Sequence, residues 1–264
     1  MSAAAAPEQR AADYLAREVP AWARDNHCYS CHNNGDGARV LFLARRRGLN
    51  VPDAAFAGTL DWLRNPAGWD ETHSTPGFSN VTLARIQFAS ALLEAQLPLR
   101  DAAALVARAQ SDDGSWTVDA GSLAGAPATY GRALATYMAR RVLIAAGATE
   151  PAAKATVWLR AARPENVVDA AAVLLATPSR HDCIEYLRRA QSRDGSWGEV
   201  FDTAVAVLAM RAAKEDALAA RGRDFLVRMQ QSDGGWPETT RPSGGISYAE
   251  HISTTAWALE ALLR

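Results

Sequence analysis

Gln110-Ser-Asp-Asp-Gly114-Ser-Trp116, Gln191-Ser-Arg-Asp-Gly195-Ser-Trp197 and Gln230-Gln-Ser-Asp-Gly234-Gly-Trp236 share one frame, Gln-x-x-x-Gly-x-Trp. Their starts lie 81 and 39 residues apart, two periods and one of a single repeat. Upstream, each copy has a large apolar residue five positions before the glutamine (Leu105, Tyr186, Phe225) and an arginine two before it (Arg108, Arg189, Arg228). Each copy therefore reads as a helix ending in a patterned turn. Downstream comes a second helix, as in Thr203-Ala-Val-Ala-Val-Leu-Ala-Met210 and Thr254-Thr-Ala-Trp-Ala-Leu-Glu-Ala-Leu-Leu263, apolar on more than one face and so expected to be buried. The unit is an outer helix followed by an inner one.

Weaker copies fill the gaps. Asp61-Trp62-Leu63-Arg64 with Trp69 precedes a helix over Ser79 to Ala95, and Val157-Trp158-Leu159-Arg160 precedes a turn at Pro164 and a helix through Asp169 to Leu175. Asp13-Tyr14-Leu15 opens the first unit, with Gly37 to Arg47 as its inner helix. Six helix pairs use residues 1–264 as one domain. Their inner faces can all be buried only if the ring closes, which predicts an all-α fold, an (α/α)6 toroid barrel.

The Gln-x-x-x-Gly-x-Trp turns resemble the QW motifs of squalene-hopene cyclases, whose toroid is shared with protein prenyltransferase β subunits. The resemblance implies a scaffold role for these turns. It also says where that family's chemistry would sit. The cyclases protonate substrate from an Asp-x-Asp-Asp segment at an inner-helix start; here Val200-Phe201-Asp202-Thr203-Ala204 keeps only the Asp-Thr-Ala ending, and Asp202 reads as a helix cap. The prenyltransferases hold zinc with an Asp-x-Cys pair and a histidine. His251 resembles that histidine, whereas Asp182-Cys183 is adjacent rather than spaced and lies on an outer helix, where Cys183 reads as a small buried side chain. The resemblance thus implies a ring without cyclase chemistry.

Cys28-Tyr29-Ser30-Cys31-His32 matches Cys-x-x-Cys-His, the attachment sequence of c-type haem. Two thiols at this spacing can join the two vinyl groups of a porphyrin while the next imidazole coordinates iron. Zinc held by Cys28, Cys31 and His32 with a further ligand is an alternative, as is a structural or redox-active thiol pair. The motif occupies the turn between the outer and inner helices of the first unit. Ring closure makes the sixth unit its neighbour, so His251 is expected beside it, and His73, in the second unit's turn, is the other candidate second axial ligand. Haem there would suit a redox partner or a small apolar ligand, and would place the protein in the periplasm or otherwise outside the cytoplasm. Without haem, the absence of a charged start and apolar middle in Met1 to Arg10 points to the cytoplasm. An isoprenoid-processing enzyme with metal at the same rim, or a non-catalytic scaffold, are the readings of other classes.

Composition narrows the field further. Nearly half of the 264 residues are apolar, enough to bury a large core without disulfides, and the three cysteines cannot all pair. Lysine plus arginine (28) almost balances aspartate plus glutamate (29), with no long basic run to follow a phosphate backbone, so nucleic acid is not an expected partner. No apolar run is long enough for a transmembrane segment.

Overall fold

The computed structural model describes residues 5–70, 80–118, 130–240 and 246–264. Among these the regular structure is all helical. The inner helices are α2 (Ala38–Arg46), α4 (Val81–Glu94), α6 (Gly131–Ala145), α8 (Val167–Ala176), α10 (Val200–Ala212) and α12 (Tyr248–Leu263). The outer helices are α1 (Pro7–Asn26), α3 (Thr59–Leu63), α5 (Arg100–Arg108), α7 (Thr149–Ala161), α9 (His181–Ala190) and α11 (Asp216–Met229). Each inner helix packs on the next, and α12 packs back on α2, so the ring closes as the repeat requires. Because every unit runs outer, turn, inner, the six inner helices start at one end of the ring.

The three strong turns are built alike. The indole N–H groups of Trp116, Trp197 and Trp236 donate to the carbonyls of Val106, Leu187 and Leu226, ten residues back on their own outer helices, at 2.7–2.8 Å. The backbone N–H of each tryptophan donates to a threonine hydroxyl of the following inner helix (Thr136, Thr203, Thr255). Each glutamine amide donates twice, to its own glycine carbonyl and to a carbonyl in the first turn of the next outer helix: Pro151, Leu218 and, across the seam, Pro7. The last contact uses the same bond to join the ends of the chain. Gly234 shows why glycine is required: its φ is +101°, and a side chain there would strike the Arg10 carbonyl. All three indoles are buried to within 2 % of complete. Each removes roughly 200 Å² from water, a stabilisation of about 5 kcal/mol as an upper figure.

No helix among the described residues is long and apolar enough to cross a membrane.

Candidate functional site

The first unit replaces the Gly-x-Trp turn with a different device. After α1, His27 takes a left-handed conformation (φ 54°) and the chain runs through Cys28 and Tyr29 to Ser30. Cys31–Gly37 then forms a π-helical turn leading into α2, a widened geometry often found where side chains must be aimed at a site. Ser30 caps it, its hydroxyl accepting from the Asn33 N–H. The Asn34 side chain accepts from the Ser30 N–H and donates to Thr59, and the Asn33 amide donates to the Glu18 carbonyl and the Tyr248 hydroxyl. Gly35 lets the turn approach α4 closely, since a Cβ there would lie 2.8 Å from the Gln87 Cβ.

Two aromatic stacks involve the motif and its hydrogen-bond partners. Tyr29 lies on Trp62 at 4.7 Å between ring centroids, and Tyr248, bonded to Asn33, lies on Trp22 at 5.5 Å. The Cys31 sulfur sits 3.8 and 3.7 Å from His32 Nδ1 and Nε2. Cys28 is half-buried and Cys31 only 4 % exposed; both are free thiols, as is Cys183. Burial pushes the Cys31 thiol far up, with the charge of Asp36 adding to it. Burial also pulls His32 down to about 4, leaving a neutral imidazole near pH 7. Among the described residues no three His, Cys, Asp or Glu side chains gather as a metal site, so Cys28, Cys31 and His32 do not converge on one point.

Ring closure does bring the sixth unit to the motif, through residues other than the expected histidine. Besides Tyr248 on Asn33, Ile252 lies beside Gly37 and Ser253 donates to Asp36. The His251 side chain instead meets its own unit's turn, with Nδ1 3.4 Å from Glu238 and Nε2 3.9 Å from Asp233, and sits edge-on to Tyr14. On an α-helix, residues 251 and 252 point about 100° apart, so Ile252 lies beside Gly37 while the buried His251 ring lies beside Tyr14 and Gly235. His73 lies outside the described residues.

The comparisons with known proteins add the family. Residues 161–264 match the squalene-hopene cyclase C-terminal domain. That match covers less than half of the chain, and the all-helical ring is consistent with the α/α toroid of that family. A lanosterol synthase of Saccharomyces cerevisiae is 36% identical over 95 residues, 30% of this chain and 13% of the synthase. One of Aspergillus fumigatus is 31% identical over 99 residues, 32% of this chain and again 13% of the synthase. The similarity thus spans only a small part of either synthase.

Asp202, expected at the start of an inner helix, lies in the first turn of α10. The N-cap position of α10 belongs to Glu199, whose carboxylate bonds Thr239 and Thr240, while Asp202 lies inside the first turn and is 8 % exposed. Cys183 is buried on outer helix α9, as expected.

The toroid's axis is where the sequence reading was incomplete. Arg39, wholly buried, pairs with Glu260 and stacks over the Trp257 ring at 4.6 Å. Glu260 also binds Arg264, and Glu94 gathers Arg46, Arg141 and Arg264. Burial alone would raise Glu260, but Arg39, Arg264 and Arg141 together hold it down to about 2. At the other side of Arg39, Asp36 accepts hydrogen bonds from Tyr130 (2.5 Å), Gln87 (2.8 Å) and Ser253 (3.0 Å). The available signal was a charge inside an apolar run, as in Ala38-Arg39-Val40-Leu41-Phe42.

Proposed function

We propose that this chain is a c-type haem-binding protein on a squalene cyclase-like toroid, serving redox or ligand binding rather than cyclisation. The observation that carries the reading is the Cys28 to His32 segment itself, placed in the turn that leads into inner helix α2, with Tyr29 stacked on Trp62. Its donor set fits a covalently held porphyrin better than a zinc ion. Zinc requires its ligands within about 2.0–2.3 Å of one point. In a c-type attachment the sulfurs bond carbon and only the imidazole meets metal, so the three groups need not converge. When bound, the haem supplies one-electron redox chemistry and an axial position for a ligand.

The chain's own part follows from its contacts. Cys28 and Cys31 would tether the haem, and His32 would hold its iron. Ser30, Asn33 and Asn34 fix the turn that carries them, and Tyr29 on Trp62 fixes the residue between the thiols. His73 and His251 would be the further candidates to hold the iron, and His251 would first have to leave Glu238. This reading places the protein outside the cytoplasm, where c-type haem is attached in bacteria.

A second reading, a metal-dependent isoprenoid-processing enzyme, is favoured by the likeness of residues 161–264 to the cyclase domain. Against cyclisation stands Phe201, at a position where the Asp-x-Asp-Asp segment would have an acid. One preparation separates the readings. Exported from a host that matures c-type cytochromes, the protein should retain haem through denaturing electrophoresis and contain one iron per chain, and Cys28→Ser with Cys31→Ser should abolish both. Folded protein without covalent haem refutes the proposal, and one zinc per chain would favour the second reading.

A further inference from the structure

In the three strong turns a tryptophan closes the gap between outer and inner helix, its N–H donating to the carbonyl of Val106, Leu187 or Leu226. The fourth unit has no tryptophan in its turn: α7 leads through Ala162-Arg163-Pro164-Glu165-Asn166 straight into α8. Two alignments place what an indole there would touch. On the outer helix, Val157-Trp158-Leu159-Arg160 stands for Glu185-Tyr186-Leu187-Arg188, and Leu159, like Leu187, is wholly buried. On the inner helix, Asp169-Ala-Ala-Ala-Val173 stands for Thr203-Ala-Val-Ala-Val207 and Thr255-Ala-Trp-Ala-Leu259. Thr203 accepts the backbone N–H of Trp197, and Val207 meets its ring: a Cβ at Gly222 would lie 2.5 Å from Val207 Cγ2 and 2.6 Å from Trp197 Cζ3.

A half-open cleft of about 410 Å³ lies at the equivalent positions, lined by Ala161, Ala162 and Arg163 at the end of α7 and by Asp169 and Val173 of α8. Trp158 lines the cleft while its polar contacts go to the third unit: its N–H donates to Asp113 at 3.0 Å, and the Arg132 guanidinium lies over its ring at 5.3 Å. The Leu159 carbonyl is a separate observation. It is the counterpart of the three indole acceptors, and no hydrogen bond reaches it among the described residues: the Ala162 N–H goes to Trp158, and the Arg180 guanidinium goes to Arg160 and Ala162. Carbonyls in the last turn of a helix point along its axis past its end, which directs this acceptor toward the level of Ala162 and Arg163. Buried acceptors are almost always satisfied.

We propose that this cleft binds a small, flat, uncharged heteroaromatic molecule of the indole class, its ring N–H donated to the Leu159 carbonyl and its ring lying between Ala162 and Val173. The bound ring takes the part that the chain's own tryptophan takes in the neighbouring turns. The cleft falls within the range of about 300–1,000 Å³ usual for small-molecule sites. Its lining carries two arginines, Arg132 and Arg163, and two carboxylates, Glu165 and Asp169, a balance that selects for no net charge on the ligand. The site belongs to a different unit from the Cys28 to His32 turn and stands whether or not haem is bound there.

The test titrates the full chain with indole. Calorimetry should show saturable one-to-one binding, and the amide resonances that move should be those of residues 161–163 and of Val173. Benzofuran, the same shape without an N–H, should bind about fivefold more weakly, the share of one hydrogen bond. Indole-3-acetate and tryptamine, which add a charge of either sign to the ring, should bind no tighter than indole. Ala162→Phe, which places a ring of the chain's own in the cleft, should weaken indole by at least about tenfold; if that variant does not fold, the resonance shifts in the unmodified protein decide. Absence of saturable binding, shifts confined to other residues, benzofuran equal to indole, a charged ring bound more tightly than the neutral one, or full affinity in folded Ala162→Phe overturns the proposal.

Discussion

The turns after α5, α9 and α11 and the turn after α1 occupy the same place in the repeat and do different work. In the first three, the glutamine and tryptophan side chains bond backbone: an outer-helix carbonyl, the turn's own carbonyl and the next outer helix. Such a turn is saturated by its own scaffold and has no group left for chemistry. In the first unit, Asn33, Asn34 and Ser30 supply the bonds and aromatic stacking with the buried Cys31 supplies the bulk, while the side chains of Cys28 and His32 make no hydrogen bond to backbone among the described residues. A repeat can therefore give one of its turns to function once its neighbours and the closed ring hold the shape.

The largest difference should appear on truncation. Trp236→Ala removes a fully buried indole and orphans the Leu226 carbonyl, and is expected to cost about 4 kcal/mol of unfolding free energy in denaturant titration. Asn34→Ala, in the first turn, is expected to cost about 2 kcal/mol, because it loses hydrogen bonds and little apolar burial. Equal costs would mean that the first turn is a scaffold of the same kind.

Acid should act on the ring through its axis. Glu260 is held at about 2 against an ordinary 4.5, so the unfolded chain takes up a proton at higher pH than the folded one. Its contribution, about 3 kcal/mol, is complete above pH 4.5 and is lost as pH falls through 2. Glu260→Gln should remove this part of the acid sensitivity while lowering stability at pH 7, measured by chemical denaturation across the range. A variant with the same acid profile as the original would show that Arg39 and Glu260 do not stabilise the ring as a pair.

The scaffold was legible in the sequence because its signals are local. A glutamine, a glycine and a tryptophan at fixed spacing recur with the helices they join, and closure follows from counting units. The motif was legible for the same reason, since Cys28, Cys31 and His32 are neighbours in the chain. What surrounds it was not. Asp36 and Arg39 meet Gln87, Tyr130, Ser253 and Glu260 across intervals of 51 to 221 residues, and only the closed ring pairs them. Unit order puts α12 beside the motif, but it does not say which way each residue of α12 turns, and the His251 imidazole has Glu238 3.4 Å away.

The smallest expected effect is the one that tests closure itself. Gln230 makes across the seam the bond that Gln191 makes between neighbours in the chain, donating to Pro7 as Gln191 does to Leu218. Replacing either by alanine removes comparable hydrogen bonds and should cost about 1 kcal/mol. The consequences should still differ in place. Helix α11 is joined by short connections to α10 and to its own turn, so Gln191→Ala leaves it anchored at both ends. Helix α1 is tied back at the seam by Gln230, by Arg10 on Gln230 and by Arg223 on Glu8, so losing Gln230 removes two of these three ties. Amide exchange should rise along the first turns of α1 in Gln230→Ala, while α11 in Gln191→Ala remains close to the unmodified protein. Equal protection of α1 and α11 in the two variants would mean that the seam is held by packing and that its hydrogen bonds only repeat what packing already enforces.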